Sequence, residues 1–108
     1  MRKQITTVTT VTTLDGETAR VRLPAPFYTA EARGVEDAGV GAWITGLFYA
    51  PRSGRCYVKT YSVWEDRRTG GCVGTRKREV SPGELAELCR RVGADVPAGL
   101  DEKIALEA

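Results

Sequence analysis

Between residues 52 and 78 the chain carries eight basic side chains against two acidic ones, Glu65 and Asp66. Tyr57, Lys59 and Tyr61 recur at every second position, the spacing that lines one face of a strand. Arg67 and Arg68 follow, then the run Arg76, Lys77, Arg78. Aromatic rings set among cations can stack unpaired bases while the cations hold phosphates. These eight residues, Tyr57, Lys59, Tyr61, Arg67, Arg68, Arg76, Lys77 and Arg78, form the candidate site for nucleic acid or another polyanion. Residues 1–51 are net neutral and residues 79–108 carry a net charge of −4, so the overall +2 conceals a basic middle and an acidic tail.

Other chemistries find little support. The chain has no histidine, which removes the usual general base near neutral pH and the usual partner of a Ser or Cys nucleophile. Cys56, Cys72 and Cys89 are odd in number and widely spaced, unlike a disulfide framework or the Cys-x-x-Cys pairs of a zinc site. They read as buried thiols of a reducing compartment. The run Gly70-Gly71-Cys72-Val73-Gly74-Thr75 has the glycines of a phosphate loop but not the Gly-Lys-Ser/Thr ending, and no helix follows it. Arg67 and Arg68 near Cys72 are the kind of neighbours that lower a thiol pKa, but a nucleophile without a base makes a weak case for catalysis. Glu65 and Asp66 are adjacent in a turn, so their carboxylates diverge instead of converging as an acid/base pair. The expectation is a non-catalytic binding module with no metal and no cofactor.

The 108 residues suit one domain, with 42% apolar and 28% charged residues. The uncharged stretch 39–51 is too short and too rich in glycine for a membrane span. No apolar segment follows Met1-Arg2-Lys3, so no secretory signal is expected and a cytoplasmic location is.

The elements that must position the candidate site form an α+β fold: an antiparallel sheet of about five strands packed on one C-terminal helix. An N-terminal hairpin over residues 4–23 turns at Asp15-Gly16, a two-residue turn signal. It pairs Thr10 with Val21 and Val8 with Leu23, leaving Arg20, Arg22, Thr9 and Val11 on a solvent face. Ile5, Val8, Val11 and Leu14 fall every third residue, which calls for a bulge or apolar contacts on both faces. Residues 24–42 read as an irregular crossover, with room for a short helix near residues 29–33. A three-stranded meander follows over 43–50, 55–65 and 72–80.

Pairing the meander sets Phe48 opposite Tyr57, Ile44 and Thr75 opposite Tyr61, and Lys59 opposite Lys77. One face then carries Phe48, Tyr57, Lys59, Tyr61, Thr75 and Lys77. The other carries Trp43, Leu47, Tyr49, Val58, Trp64 and Val80 and suits the helix. The helix is expected over 82–92: Ser81 is the N-cap, Pro82 N1 and Glu84 N3 of a capping box, with Gly93 at C′. Leu85, Leu88, Cys89 and Val92 form its apolar stripe. A weaker pattern suggests a second short helix over 100–107, within a tail, 94–108, that is free to fray.

Three readings compete. Recognition of nucleic acid or polyanion by the basic meander leads. A protein-interaction module is the alternative: a homodimer, an adaptor or a small inhibitor of the kind mobile elements carry. A small-molecule pocket lined by Trp43 and Trp64, between the sheet and the irregular segment, is a third. Lysine on a strand also guards free edges, and a register slip of one residue would exchange the two faces.

Overall fold

A computed structural model describes residues 6–31, 42–64 and 72–100. The chain is α+β, with one mixed sheet of six strands and one C-terminal helix. The strands are β1 (Thr6–Thr12), β2 (Thr18–Pro24), β3 (Tyr28–Thr29), β4 (Ala42–Ala50), β5 (Arg55–Trp64) and β6 (Cys72–Val80), and α1 spans Pro82–Val92. They lie in the order β2-β1-β6-β5-β4-β3.

Two features depart from the five-stranded antiparallel expectation. β1 meets β6 in parallel through the single pair Thr12 and Arg78. The segment read as an irregular crossover contains β3, which pairs with Gly46 and Leu47 of β4. The Phe27 amide also donates to the Leu47 carbonyl and the Ala30 amide to the Thr45 carbonyl, each at 3.0 Å. Thr29, where a short helix had room to begin, is therefore strand, and residues 32–33 lie outside the described residues. Only two residues long, β3 leaves little free edge for another chain to pair with.

The first hairpin is one residue out of the expected register. The Thr13 amide donates to the Glu17 carbonyl at 2.7 Å and the Gly16 amide to the Thr13 carbonyl at 2.9 Å. The loop is thus Leu14-Asp15-Gly16, three residues ending at a glycine with φ +85°. This is the three-residue hairpin built on a turn and a left-handed glycine, not the two-residue form that Asp-Gly also signals. Thr9 consequently faces Val21, and Val11 faces Ala19. Val11 and Leu23 turn inward, both 2% exposed, whereas Val8 and Leu14 are exposed. The three-residue apolar spacing therefore needs no bulge in this strand.

Nothing lies within 4 Å of a Cβ built at Gly16. Gly16→Ala should accordingly cost only the left-handed strain, about 1 kcal/mol, with Gly16→Asn costing less. Urea denaturation of the two variants beside the parent checks this.

Two apolar cores lie on opposite faces of the meander. The helix covers one, where Leu85, Leu88 and Cys89 join Ile44, Leu47, Cys56, Val58, Val80 and Leu100. The first hairpin covers part of the other, where Val11 and Leu23 pack on Phe48 and Tyr57. β1 reaches β6 only at its C-terminal end, and β2 comes close to β4, so the hairpin crosses over the sheet.

The helix ends follow the sequence closely. Ser81 Oγ accepts from the Glu84 amide at 3.1 Å, and Gly93 closes the helix at φ 72° with its amide directed to the Cys89 carbonyl. The other half of the capping box is diverted: the Glu84 carboxylate accepts from Arg78 Nη1 at 2.8 Å. Leu100 is fully buried in the helix-side core. The rest of the helix expected over 100–107 lies outside the described residues. Among the described residues, no helix is long and apolar enough to cross a membrane.

Candidate functional site

The β5–β6 register is as expected: Lys59 faces Lys77, Tyr61 faces Thr75 and Val63 faces Val73. On the β4 side, Phe48 faces Tyr57, but the pairing shifts between Ile44 and Gly46. Thr45 is the extra residue of this bulge, and its hydroxyl donates to the Lys59 carbonyl at 3.2 Å. The shift moves Trp43 opposite Tyr61 and Ile44 opposite Thr60. Trp43, assigned to the helix side, therefore joins Tyr61 on the other face, their ring centroids 5.9 Å apart and their planes tilted by 43°. Ile44 takes its place in the helix-side core.

The eight candidate residues separate into four groups. Tyr57 is 3% exposed beneath the first hairpin and cannot stack a base. Burial raises its phenol pKa above the ordinary value, and a hydrogen bond with Arg55 opposes that only partly. Lys59, Tyr61 and Lys77 are half-buried on the part of this face that the hairpin leaves open, with Trp43 and the exposed Thr75. Arg76 and Arg78 alternate with Lys77 along β6 and so point to the helix side. There they line an open groove of about 440 Å³ with Thr60, Ser62 and Gly74. Arg67 and Arg68 lie outside the described residues, as do the side chains of Trp64 and Cys72.

The sequence placed all these cations in one zone; strand alternation divides them between two faces. Arg78 is further occupied by its ion pair with Glu84. The open face thus keeps two cations and two rings. Lys77 Nζ donates to Thr9 Oγ1 at 3.0 Å, which holds that ammonium at the hairpin edge. No described carboxylate pairs with either lysine, since the described ion pairs join Arg78 to Glu84 and Arg90 and Arg91 to Glu87. Directly opposed like charges on neighbouring strands are destabilising. Lys59→Thr should therefore raise stability by roughly 0.5 kcal/mol at low ionic strength, and the gain should shrink as salt screens the pair. Urea melts of both proteins at low and high salt read this directly.

Trp43 was reachable from sequence only through the bulge, and Gly46 within an apolar strand is its signal. Cys56 and Cys89 are buried; the Cys56 thiol donates to the Gly54 carbonyl at 3.7 Å, and burial pushes the Cys89 thiol pKa up. That is the opposite of an activated nucleophile. Among the described residues, no group of three or more His, Cys, Asp or Glu side chains is placed to hold a metal ion. Comparison with models of known protein families, with curated proteins and with solved structures finds no match to this chain.

Proposed function

We propose that this protein is a non-catalytic binding module that takes single-stranded nucleic acid across the open part of its sheet. The observation that carries the reading is the meeting of the Trp43–Tyr61 ring pair with the opposed lysines Lys59 and Lys77 on the part of one sheet face that the first hairpin leaves open. Rings of this kind stack successive bases whatever their identity, and the lysines hold the backbone phosphates beside them. A duplex keeps its bases stacked inside and offers the rings nothing, so the site prefers unpaired strands. The remaining cations, Arg76 on the opposite side of β6 and the Arg67-Arg68 pair, extend the attraction for a polyanion.

Fluorescence anisotropy of labelled single-stranded and duplex oligonucleotides tests the reading. Base–aromatic stacking is worth about 1–3 kcal/mol per base, so Trp43→Ala should weaken single-strand binding by roughly tenfold or more. Equal affinity for duplex and single strand, unchanged by the substitution, would refute the stacking role.

A further inference from the structure

Where the first hairpin crosses the meander it leaves a cleft of about 280 Å³. Its lining includes the basic and hydroxylated side chains Lys59, Lys77, Thr9 and Thr45. Leu23, Pro24, Pro26 and Phe48 give it apolar surface. Among the described residues, no Asp or Glu lines it. Gly46 forms part of the floor, where a Cβ would stand 3.4 Å from a Phe48 ring carbon and 3.5 Å from Lys59 Cβ. A larger residue there would fill space that the cleft keeps.

Two lysines lining one cleft suit a dianion better than a monoanion, because each ammonium can then face a negative charge. The Thr9 hydroxyl accepts from Lys77 and so keeps its proton to donate to one of the oxygens, while Leu23, Pro24, Pro26 and Phe48 bury an apolar body. We propose that this cleft binds a small phosphate monoester whose organic part is a single apolar ring. The site shares Lys59 and Lys77 with the nucleic-acid surface but makes no use of Trp43 and Tyr61. The residues that the two sites do not share therefore tell the two readings apart.

Phenyl phosphate, inorganic phosphate, benzoate and benzyl alcohol are the probes, followed through the amide NMR signals of Thr9, Thr45 and Gly46. Phenyl phosphate should saturate these shifts with a Kd of roughly 0.1–1 mM, in keeping with about 0.4 kcal/mol per heavy atom for so small a ligand. Inorganic phosphate and benzoate should each bind about tenfold more weakly, and benzyl alcohol should leave the signals in place. Thr7 and Thr29 are exposed and line the cleft. Thr7→Trp should plug it, weakening phenyl phosphate by about tenfold or more while leaving single-strand affinity within about threefold. Thr29→Trp repeats the test from the other side should the first variant fail to fold. Trp43→Ala should do the reverse, sparing phenyl phosphate and weakening the oligonucleotide. Unmoved amides at about 10 mM phenyl phosphate, equal binding of benzoate or benzyl alcohol, or indifference to both plugs would overturn the proposal. Oligonucleotide binding without phenyl phosphate binding rejects the cleft alone; the opposite result rejects the stacking surface alone.

Discussion

Leu85→Ala is expected to destabilise the protein by about 2–5 kcal/mol, the range for removing a fully buried leucine. Leu85 is completely buried where the helix meets the sheet, among Leu47, Val58 and Val80. The substitution strips away apolar contact and leaves a void that rigid neighbours on two strands cannot close. In a domain of this size the change corresponds to a fall in Tm of roughly 10–30 °C. Arg90 in the last helical turn is exposed and, among the described residues, pairs with Glu87 of the same helix, so Arg90→Ala should change stability by no more than about 0.5 kcal/mol. Thermal melts of the two variants compare them. A Leu85→Ala protein within about 1 kcal/mol of the parent would mean that the helix does not form the core described.

The second large effect belongs to the lysine pair. Lys59→Ala combined with Lys77→Ala removes both cations of the open face without disturbing Trp43 or Tyr61. Each charge-assisted phosphate hydrogen bond is worth about 1.5 kcal/mol or more, so single-strand affinity should drop by roughly 100-fold. Stability should move the other way or stay level. Removing the cross-strand repulsion helps, whereas breaking the Lys77–Thr9 hydrogen bond costs. Weaker binding with undiminished stability is the pattern of a residue kept for function, because the site is locally unfavourable until its ligand arrives.

How much of this was legible in the sequence depended on how local its determinants are. The helix and β6 were placed residue for residue, since Ser81, Pro82, Leu85 and Gly93 each act within one or two turns. The β5–β6 register was also readable, and with it the Lys59–Lys77 pair. The hairpin register was not, because Asp15-Gly16 satisfies both a two-residue and a three-residue loop. Choosing between them takes the burial of Val11 and Leu23 against Phe48 and Tyr57, contacts far apart in sequence.

The same distance hid two other features. β3 forms only because Tyr28 and Thr29 find β4, and a two-residue strand has no period to detect. The bulge at Thr45 exchanged Trp43 and Ile44 between faces, which changed the candidate site more than any other difference. Tyr57 left the site because a hairpin that could have stood beside the sheet crosses over it instead. Arg76 and Arg78 left it by strand alternation alone, a rule already available in the sequence and outweighed there by the density of positive charge.

The most direct test of the nucleic-acid reading is the salt dependence of single-strand binding, measured for the parent and the double lysine variant between about 50 and 200 mM salt. The parent should bind at the lower salt, with affinity falling steeply as salt rises. The variant's slope should be shallower by about 1.4, or about 0.7 for each phosphate that a lysine no longer neutralises. A parent that fails to bind at low salt, or a variant with the parent's affinity and slope, would contradict the assignment of this face to a nucleic-acid strand.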